Sequence, residues 1–205
     1  PDQSAPVVAV AVYYDVGFRS EPEGRTGFAH LFEHMMFQGS ENVGKMEHGD
    51  LVMGNGGSLN GSTSLDFTNY YEVLPSPALE LALFLEADRM RSLALTQENL
   101  DNQIQVVKEE VRVNVLNRPY GGFPWLDMPQ YANENWYNAH NFYGDLEDLD
   151  AATLEDVQEF FDTYYAPNNA TLVVVGDFDE GELLGNIQRH YGARPASQLP
   201  DATDR

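Results

Sequence analysis

The sequence predicts an α+β fold in a single domain, and three observations support this class. The 205 residues are 42% hydrophobic and 12% aromatic, which is enough apolar material for one sizeable core. Val7 to Tyr14 is rich in β-branched and aromatic residues, as expected of a buried strand. Segments with the spacing of amphipathic helices then alternate with further strand-like runs, so both kinds of element are expected.

The first helix is predicted at Gly27 to Gln38, a stretch without proline. Thr26 is a candidate N-cap for it, and Gly39 suits the left-handed residue that ends a helix. A second short helix is predicted at Gly44 to Met53. Ser58 to Val73 then has the composition of two strands joined by a turn.

The second half of the chain is predicted to be mainly helical. Helices are expected at Ala78 to Leu93 and Gln97 to Leu116, followed by a long ordered loop, Arg118 to Leu149. The remaining predicted elements are a helix from a capping box at Thr153 to Tyr165, a strand at Asn168 to Asp177 and a helix at Gly181 to Tyr191. Residues 1–194 are expected to form the domain, and residues 195–205 a linker or tail.

Composition excludes several classes of function. The net charge of −22, with Lys45 and Lys108 as the only lysines, argues against a surface that binds nucleic acid. No apolar run is long enough to span a membrane. Because the chain has no cysteine, any metal must be bound by histidine, carboxylate or backbone oxygen.

Two histidines four residues apart, His30 and His34, are the strongest functional signal in the chain. On a helix both side chains point the same way and can bind one metal ion. Glu33 is too close in sequence to be a further ligand, but it can reach a water molecule at such a site. The pattern predicts a hydrolytic metal site, and the alternative is a set of polar residues on a solvated helix face.

A catalytic zinc ion takes three protein ligands, so a third must come from elsewhere in the chain. The predicted helix Gln97 to Leu116 offers Glu109 and Glu110. At about 100° per residue, Glu109 lies opposite the apolar stripe of this helix, where it can pair with Arg112 in solvent. Glu110 lies at the edge of the stripe and is favoured as the ligand, the alternative being a boundary glutamate paired with some other neighbour.

These residues resemble the pitrilysin/insulinase family of zinc metallopeptidases, the inverzincins, whose signature is His-x-x-Glu-His. The likeness covers nearly the whole chain. Its main segments are similar to the motif helix, the active-site strand, the third-ligand helix and the closing strand of the family: Gly27 to Ser40, Gly57 to Thr63, Val106 to Glu110 and Tyr165 to Leu172. The resemblance implies a pitrilysin-type α/β domain with a mostly antiparallel sheet covered by helices on one face.

The resemblance also implies an activity, that of a zinc-dependent endopeptidase acting on peptides or unfolded segments. One Zn²⁺ per domain would be bound by His30, His34 and Glu110, and Glu33 would be the catalytic base. One position departs from the family, because Gln103 stands where many members have a second glutamate. Its side chain lies on the same helix face as the third ligand and is expected to hydrogen-bond near the site, with the effect of the lost charge left open.

In the family the substrate lies as an extra strand along a sheet edge, which implies that Ser58, Asn60 and Gly61 contact it. Asn60 would act as a polar clamp. His48 and His140 are not needed by this site and are interpreted as surface or loop histidines.

Members of the family build their substrate chamber from two or more homologous domains. This chain would be the first, metal-carrying domain, and a second homologous domain or subunit, in a homo- or hetero-oligomer, is expected to complete the enzyme. Two alternatives stand beside it: a non-proteolytic scaffold or assembly subunit of the same family, and a non-catalytic metal-binding module. Acidity, the lack of cysteine and similarity to exported members favour a periplasmic or secreted bacterial location and leave the cytoplasm open.

Overall fold

A computed structural model describes residues 1–200 of the chain, and within them four strands form one antiparallel sheet. The strands are β1 (Val7–Tyr14), β2 (Ser58–Thr63), β3 (Thr68–Pro75) and β4 (Ala170–Gly176). Their order across the sheet is β2-β3-β1-β4, so β1 is central and β2 lies at one edge. Because β4 comes from late in the chain and pairs with β1, the sheet joins both ends of the sequence in one fold.

One face of the sheet is buried under helices. Along β1 the alternate residues Val8, Val10, Val12 and Tyr14 are buried, as the two-residue period of a strand requires. The opposite face is partly exposed, for example at Val175, which is 57% exposed. The predicted α+β class, with an antiparallel sheet covered on one face, is confirmed.

The described residues contain nine α-helices. These are α1 (Phe28–Met35), α2 (Glu47–Gly54), α3 (Leu79–Ser92), α4 (Gln97–Val111), α5 (Asp127–Ala132), α6 (Trp136–Ala139), α7 (Leu146–Ala151), α8 (Leu154–Tyr164) and α9 (Glu180–Tyr191). A π-helical turn, Arg112–Leu116, extends α4 to the predicted end. The region predicted as a long loop contains three short helices, α5, α6 and α7.

The start of α1 differs from the prediction. The N-cap is Gly27, with φ of 86°, and not Thr26. The Thr26 hydroxyl instead donates a hydrogen bond to Asp148 at 2.7 Å. Because the left-handed backbone at Gly27 is one that glycine adopts without strain, the chain turns there and the helix begins one residue later. The helix also ends at Met35, three residues before the predicted end.

Helix α1 is embedded in the apolar core. Six of its eight residues are buried, and the aromatic ring of Phe32 stacks on Phe160 of α8 at 4.9 Å between ring centroids. On its other side α1 packs against α4. Burial on this scale fixes the helix as a rigid support for the side chains it projects towards α4 and β2.

Residues 195–200 form neither helix nor strand, but Ser197 donates a hydrogen bond from its hydroxyl to the carbonyl of Thr163 at 2.7 Å. The rest of the predicted tail, 201–205, lies outside the described residues, and the boundary at residue 194 stays a prediction. No helix within residues 1–200 has the length and apolar character needed to cross a bilayer.

Candidate metal centre

His30, His34 and Glu110 come together where α1 packs against α4. The Nε2 atoms of His30 and His34 are 3.3 Å apart. The Oε2 atom of Glu110 lies 3.2 Å from Nε2 of His34 and 3.8 Å from Nε2 of His30. Two neighbouring turns of one helix and the last turn of another therefore direct three potential ligand atoms at one point.

The spacing of these atoms fits a tetrahedral zinc ion. Ligand atoms about 2.0–2.1 Å from a tetrahedral centre are separated from each other by about 3.3–3.4 Å. The three observed separations lie near this value, with the His30 to Glu110 distance slightly longer. Two imidazoles and a carboxylate are also a donor set that zinc accepts in catalytic sites.

The protonation of His30 is compatible with metal binding. Burial, and to a lesser degree the charge of His34, lowers the pKa of His30 to about 3. The ring is therefore neutral near pH 7, and a neutral imidazole is the form that binds a metal. Among the described residues, the buried Nδ1 atom of His30 has no hydrogen-bond partner.

Glu33 leaves α1 towards the edge strand β2. Its Oε2 atom accepts a hydrogen bond of 2.6 Å from the hydroxyl of Thr63. Burial raises the pKa of Glu33, and the hydrogen bond from Thr63 and the charge of His34 act in the opposite direction. The carboxylate of Glu33 thus lies beside the cluster of His30, His34 and Glu110, and it is held by the hydroxyl of Thr63 on β2.

Glu109 and Glu110 take different positions, as helix phase predicts. Glu109 is exposed and contacts Arg112 at 3.3 Å, whereas Glu110 points to the histidines. Gln103 is buried on α4 and its amide donates to Asn102 at 2.8 Å. The structure therefore brings His30, His34 and Glu110 together, and Gln103 is not among these clustered atoms.

Tyr143 is a residue of this site that the sequence did not indicate. Its ring lies edge-on to the His30 ring, with centroids 5.2 Å apart. Burial raises the pKa of Tyr143, and the negative charges of Glu110 and Glu33 raise it further. Tyr143 lies between α6 and α7 in the segment predicted as a loop, where no periodic pattern marks an individual residue.

The start of α1 is held by a buried carboxylate from outside the helix. Glu21 accepts hydrogen bonds from the backbone N–H groups of Gly27 at 3.0 Å and Ala29 at 2.9 Å. Nε2 of His140 lies 3.1 Å from the same carboxylate, and its ring stacks on Trp136. His140 lies in a loop, directly after α6, but its interpretation as a surface histidine was wrong, because it is buried and contacts the carboxylate that caps the helix carrying His30 and His34.

His48 is buried as well, so its interpretation as a surface histidine was also wrong. Its Nε2 atom is 2.7 Å from Oε1 of Glu72, close to Glu86. Although these three residues have the composition of a metal site, Arg89 donates to both carboxylate oxygens of Glu86. The guanidinium already supplies the positive charge that the cluster needs, so we interpret the cluster as a buried ionic network.

The three residues expected to contact substrate lie on the edge strand β2. Ser58 and Asn60 are exposed, while Gly61 faces the helices, where a Cβ atom would lie 3.3 Å from Cγ of Glu33. Since side chains alternate along a strand, the Asn60 side chain points to the face away from Glu33. Their role in substrate binding stays a prediction.

Comparison with known proteins assigns the family. The profile described as "Insulinase (Peptidase family M16)" matches residues 1–122, and that described as "Peptidase M16 inactive domain" matches residues 151–205. The zinc protease PqqE of Helicobacter pylori is 33% identical over 90% of this chain and 41% of its own length. Subunit 1 of the human mitochondrial cytochrome b-c1 complex is 26% identical over 97% of this chain and 41% of its own.

Solved structures of proteases have the same fold as this chain. A protease from Helicobacter pylori has a TM-score of 0.87 at 31% identity, over 98% of this chain and 48% of that one. The periplasmic protease PqqL from Escherichia coli has the same fold, with a TM-score of 0.88 at 22% identity, over 99% of this chain and 23% of that one. The chain thus spans less than half the length of these relatives. With a profile match over more than half of its residues, the chain belongs to the insulinase family of peptidases, family M16.

Proposed function

We propose that this chain is the metal-carrying domain of a zinc-dependent endopeptidase. The observation that carries the proposal is the convergence of His30 Nε2, His34 Nε2 and Glu110 Oε2 within 3.2–3.8 Å of each other, with Glu33 held beside them. A neutral His30 and a partly buried carboxylate suit one Zn²⁺, which would be the cofactor.

The chemistry follows from the donor set. Zinc bound there would lower the pKa of a water molecule to about 7 and polarise the peptide carbonyl. Glu33 would accept the proton from the attacking water and pass it to the leaving amine. His30, His34 and Glu110 would hold the ion. Gln103, two turns before Glu110 on α4, donates its amide to Asn102, and its role near the site stays a prediction.

The substrate would be a peptide or an unfolded segment bound as an added strand. β2 is a sheet edge, so an extended chain could pair with its outer backbone groups, and the N–H of Gly61, which donates to Oδ1 of Asn60 at 2.9 Å, would have to exchange that partner for the substrate. Gly61 brings this edge next to the proposed base. Ser58 and Asn60 would contact the substrate from the exposed face, with Asn60 as the polar clamp.

A second homologous domain or subunit would complete the enzyme. The chain spans 41% of the length of both curated relatives, which indicates that such proteins carry a further region of comparable size. Residues 1–194 would form the metal-carrying domain, and the following residues would be a linker whose first part stays bound to the domain through Ser197. Similarity to a periplasmic protease and the net charge of −22 favour a periplasmic or secreted location.

The alternative is a non-proteolytic subunit, and it has a specific basis. A relative of comparable coverage is a subunit of the cytochrome b-c1 complex. We favour the enzyme because this chain has all three ligand residues and the base in one cluster.

The test combines metal analysis with peptide hydrolysis for the parent chain, with and without a candidate partner domain. Glu33→Gln is expected to keep zinc and lose turnover, and Glu110→Gln to lose zinc. Glu109→Gln is the matched control, because Glu109 is the adjacent residue and its side chain faces solvent. A parent chain without stoichiometric zinc at neutral pH would refute the proposal, and full turnover in Glu33→Gln would refute the role of the base.

A further inference from the structure

Thr63 and Glu33 form a contact between the edge strand and the motif helix. The Thr63 hydroxyl donates to Oε2 of Glu33 at 2.6 Å, the short distance typical of an O–H donor bound to a carboxylate. Among the described residues, Thr63 provides the one side-chain hydrogen bond that Glu33 receives. The hydrogen bond occupies Oε2 of the carboxylate.

The backbone of Thr63 is itself firmly held. Thr63 is the last residue of β2 and pairs with Thr68 of β3. The turn that follows is tied to another segment, because the N–H groups of Phe18 and Arg19 donate to the carbonyls of Ser64 and Leu65 at 3.0 and 2.9 Å. A β-branched side chain on a fixed backbone has few rotamers, so the hydroxyl keeps its direction.

A second contact restrains the stem of the same glutamate. Gly61, two residues before Thr63, lies on the same face of β2, and a Cβ atom there would lie 3.3 Å from Cγ of Glu33. The strand thus restricts the side chain at Cγ and binds it at Oε2. Glu33 would otherwise be a long side chain with several rotamers beside an open edge.

We propose that Thr63 is a positioning residue for Glu33: its hydroxyl holds Oε2 and thereby directs Oε1 towards the attacking water. This inference rests on the proposed function. The base must lie within about 2.6–3.2 Å of the proton that it accepts, and a misplacement of about 1 Å can lower turnover by about 10²-fold. A donor fixed on β2 would also link the geometry of the base to the strand proposed to bind substrate.

The test uses Thr63→Val, which keeps the shape and removes the hydroxyl, and Thr63→Ser, which restores the hydroxyl. Thr171→Val, an exposed threonine on β4 at the opposite sheet edge, is the matched control. In the zinc-loaded protein with its partner domain, Thr63→Val should lower kcat at least about tenfold, with zinc content and KM unchanged. Thr63→Ser should recover most of kcat, and Thr171→Val should not differ from the parent.

Unchanged kcat in Thr63→Val would overturn the inference. So would a loss of zinc that matches the loss of turnover, a rise in KM in place of the fall in kcat, or failure of Thr63→Ser to recover activity.

A second measurement does not depend on activity. In the metal-free protein, Thr63→Val should lower the urea midpoint when residue 33 is glutamate and leave it unchanged in the Glu33→Ala background. Equal shifts in both backgrounds would overturn the inference even in an inactive chain. Absence of zinc-dependent hydrolysis in the parent would instead refute the proposed function. Failure of the inference about Thr63 can therefore be distinguished from failure of the proposed function.

Discussion

Replacing the buried Glu72 with glutamine is expected to make the stability of the fold less dependent on pH. Glu72 is fully buried in β3, with one carboxylate oxygen 2.7 Å from Nε2 of His48. Burial raises the pKa of Glu72 to about 7, although the charge of Arg89 opposes this, and burial lowers the pKa of His48 to about 3. Below pH 7 the protonated carboxyl of Glu72 can therefore donate to a neutral His48.

The sign and size of the effect follow from linkage. The pKa of Glu72 is about 7 in the folded chain, against an ordinary value of 4.5. The protonated carboxyl of Glu72 contributes to the free energy of unfolding. This contribution is fully present below pH 4.5 and is lost as the pH rises through 7. At about 1.4 kcal/mol for each pH unit between the two values, the loss is about 3 kcal/mol. Glutamine resembles the protonated form and does not titrate.

The assay is urea unfolding of the metal-free parent and Glu72→Gln at pH 5 and pH 8. The variant should be more stable by about 1 kcal/mol at pH 5, where part of the loss has already occurred, and by about 3 kcal/mol at pH 8. The contribution of His48 is present in both proteins. Glu72 also raises the pKa of Glu86, so its replacement lowers that pKa and changes the pH dependence in the same direction. Glu23→Gln, at an exposed glutamate, is the control and should follow the parent. The same pH dependence in the parent and in Glu72→Gln would show that Glu72 does not titrate with a raised pKa in the folded chain.

Two further predictions concern the metal site, and a third concerns the cap of α1. Glu110→Gln should weaken zinc binding by more than about 10²-fold, since it removes a ligand, whereas Glu109→Gln should not; competition with a chelator measures both. Gly61→Ala should lower kcat while zinc is retained, because the added methyl group lies against the stem of the proposed base; equal kcat would contradict this. His140→Ala should destabilise the fold by about 1–3 kcal/mol in urea unfolding, because the carboxylate of Glu21 loses a partner in the core; an unchanged midpoint would exclude it.

Elements set by local patterns were predictable from the sequence. The strand Val7–Tyr14 has the predicted bounds because its β-branched residues need no distant partner to be recognised. The capping box at Thr153 is present, with its hydroxyl accepting the N–H of Asp156. The position around the helix axis distinguished the solvent-facing Glu109 from Glu110, because the geometry of α4 alone determines where each side chain points. The antiparallel pairing of the sheet and its covered face required the family resemblance, and the order of the strands was not predicted.

Features that depend on distant contacts were not predictable. Glu21 and His140 are separated by 119 residues and meet only in the folded chain. Thr26 has the residue type of an N-cap, but its hydroxyl binds Asp148, and the turn at Gly27 begins the helix. Tyr143 reaches His30 from an irregular segment, where direction cannot be inferred from periodicity.

The proposed enzyme requires that His30, His34 and Glu110 bind one zinc ion. X-ray absorption spectroscopy of the zinc-loaded protein at the zinc edge identifies the ligands of that ion. We expect two imidazole ligands with nitrogen atoms at about 2.0–2.1 Å and additional oxygen at about 2.0–2.2 Å, and we expect Glu110→Gln to lose the zinc that the parent retains. A spectrum with fewer than two imidazoles, or the same zinc content in Glu110→Gln as in the parent, would contradict this assignment.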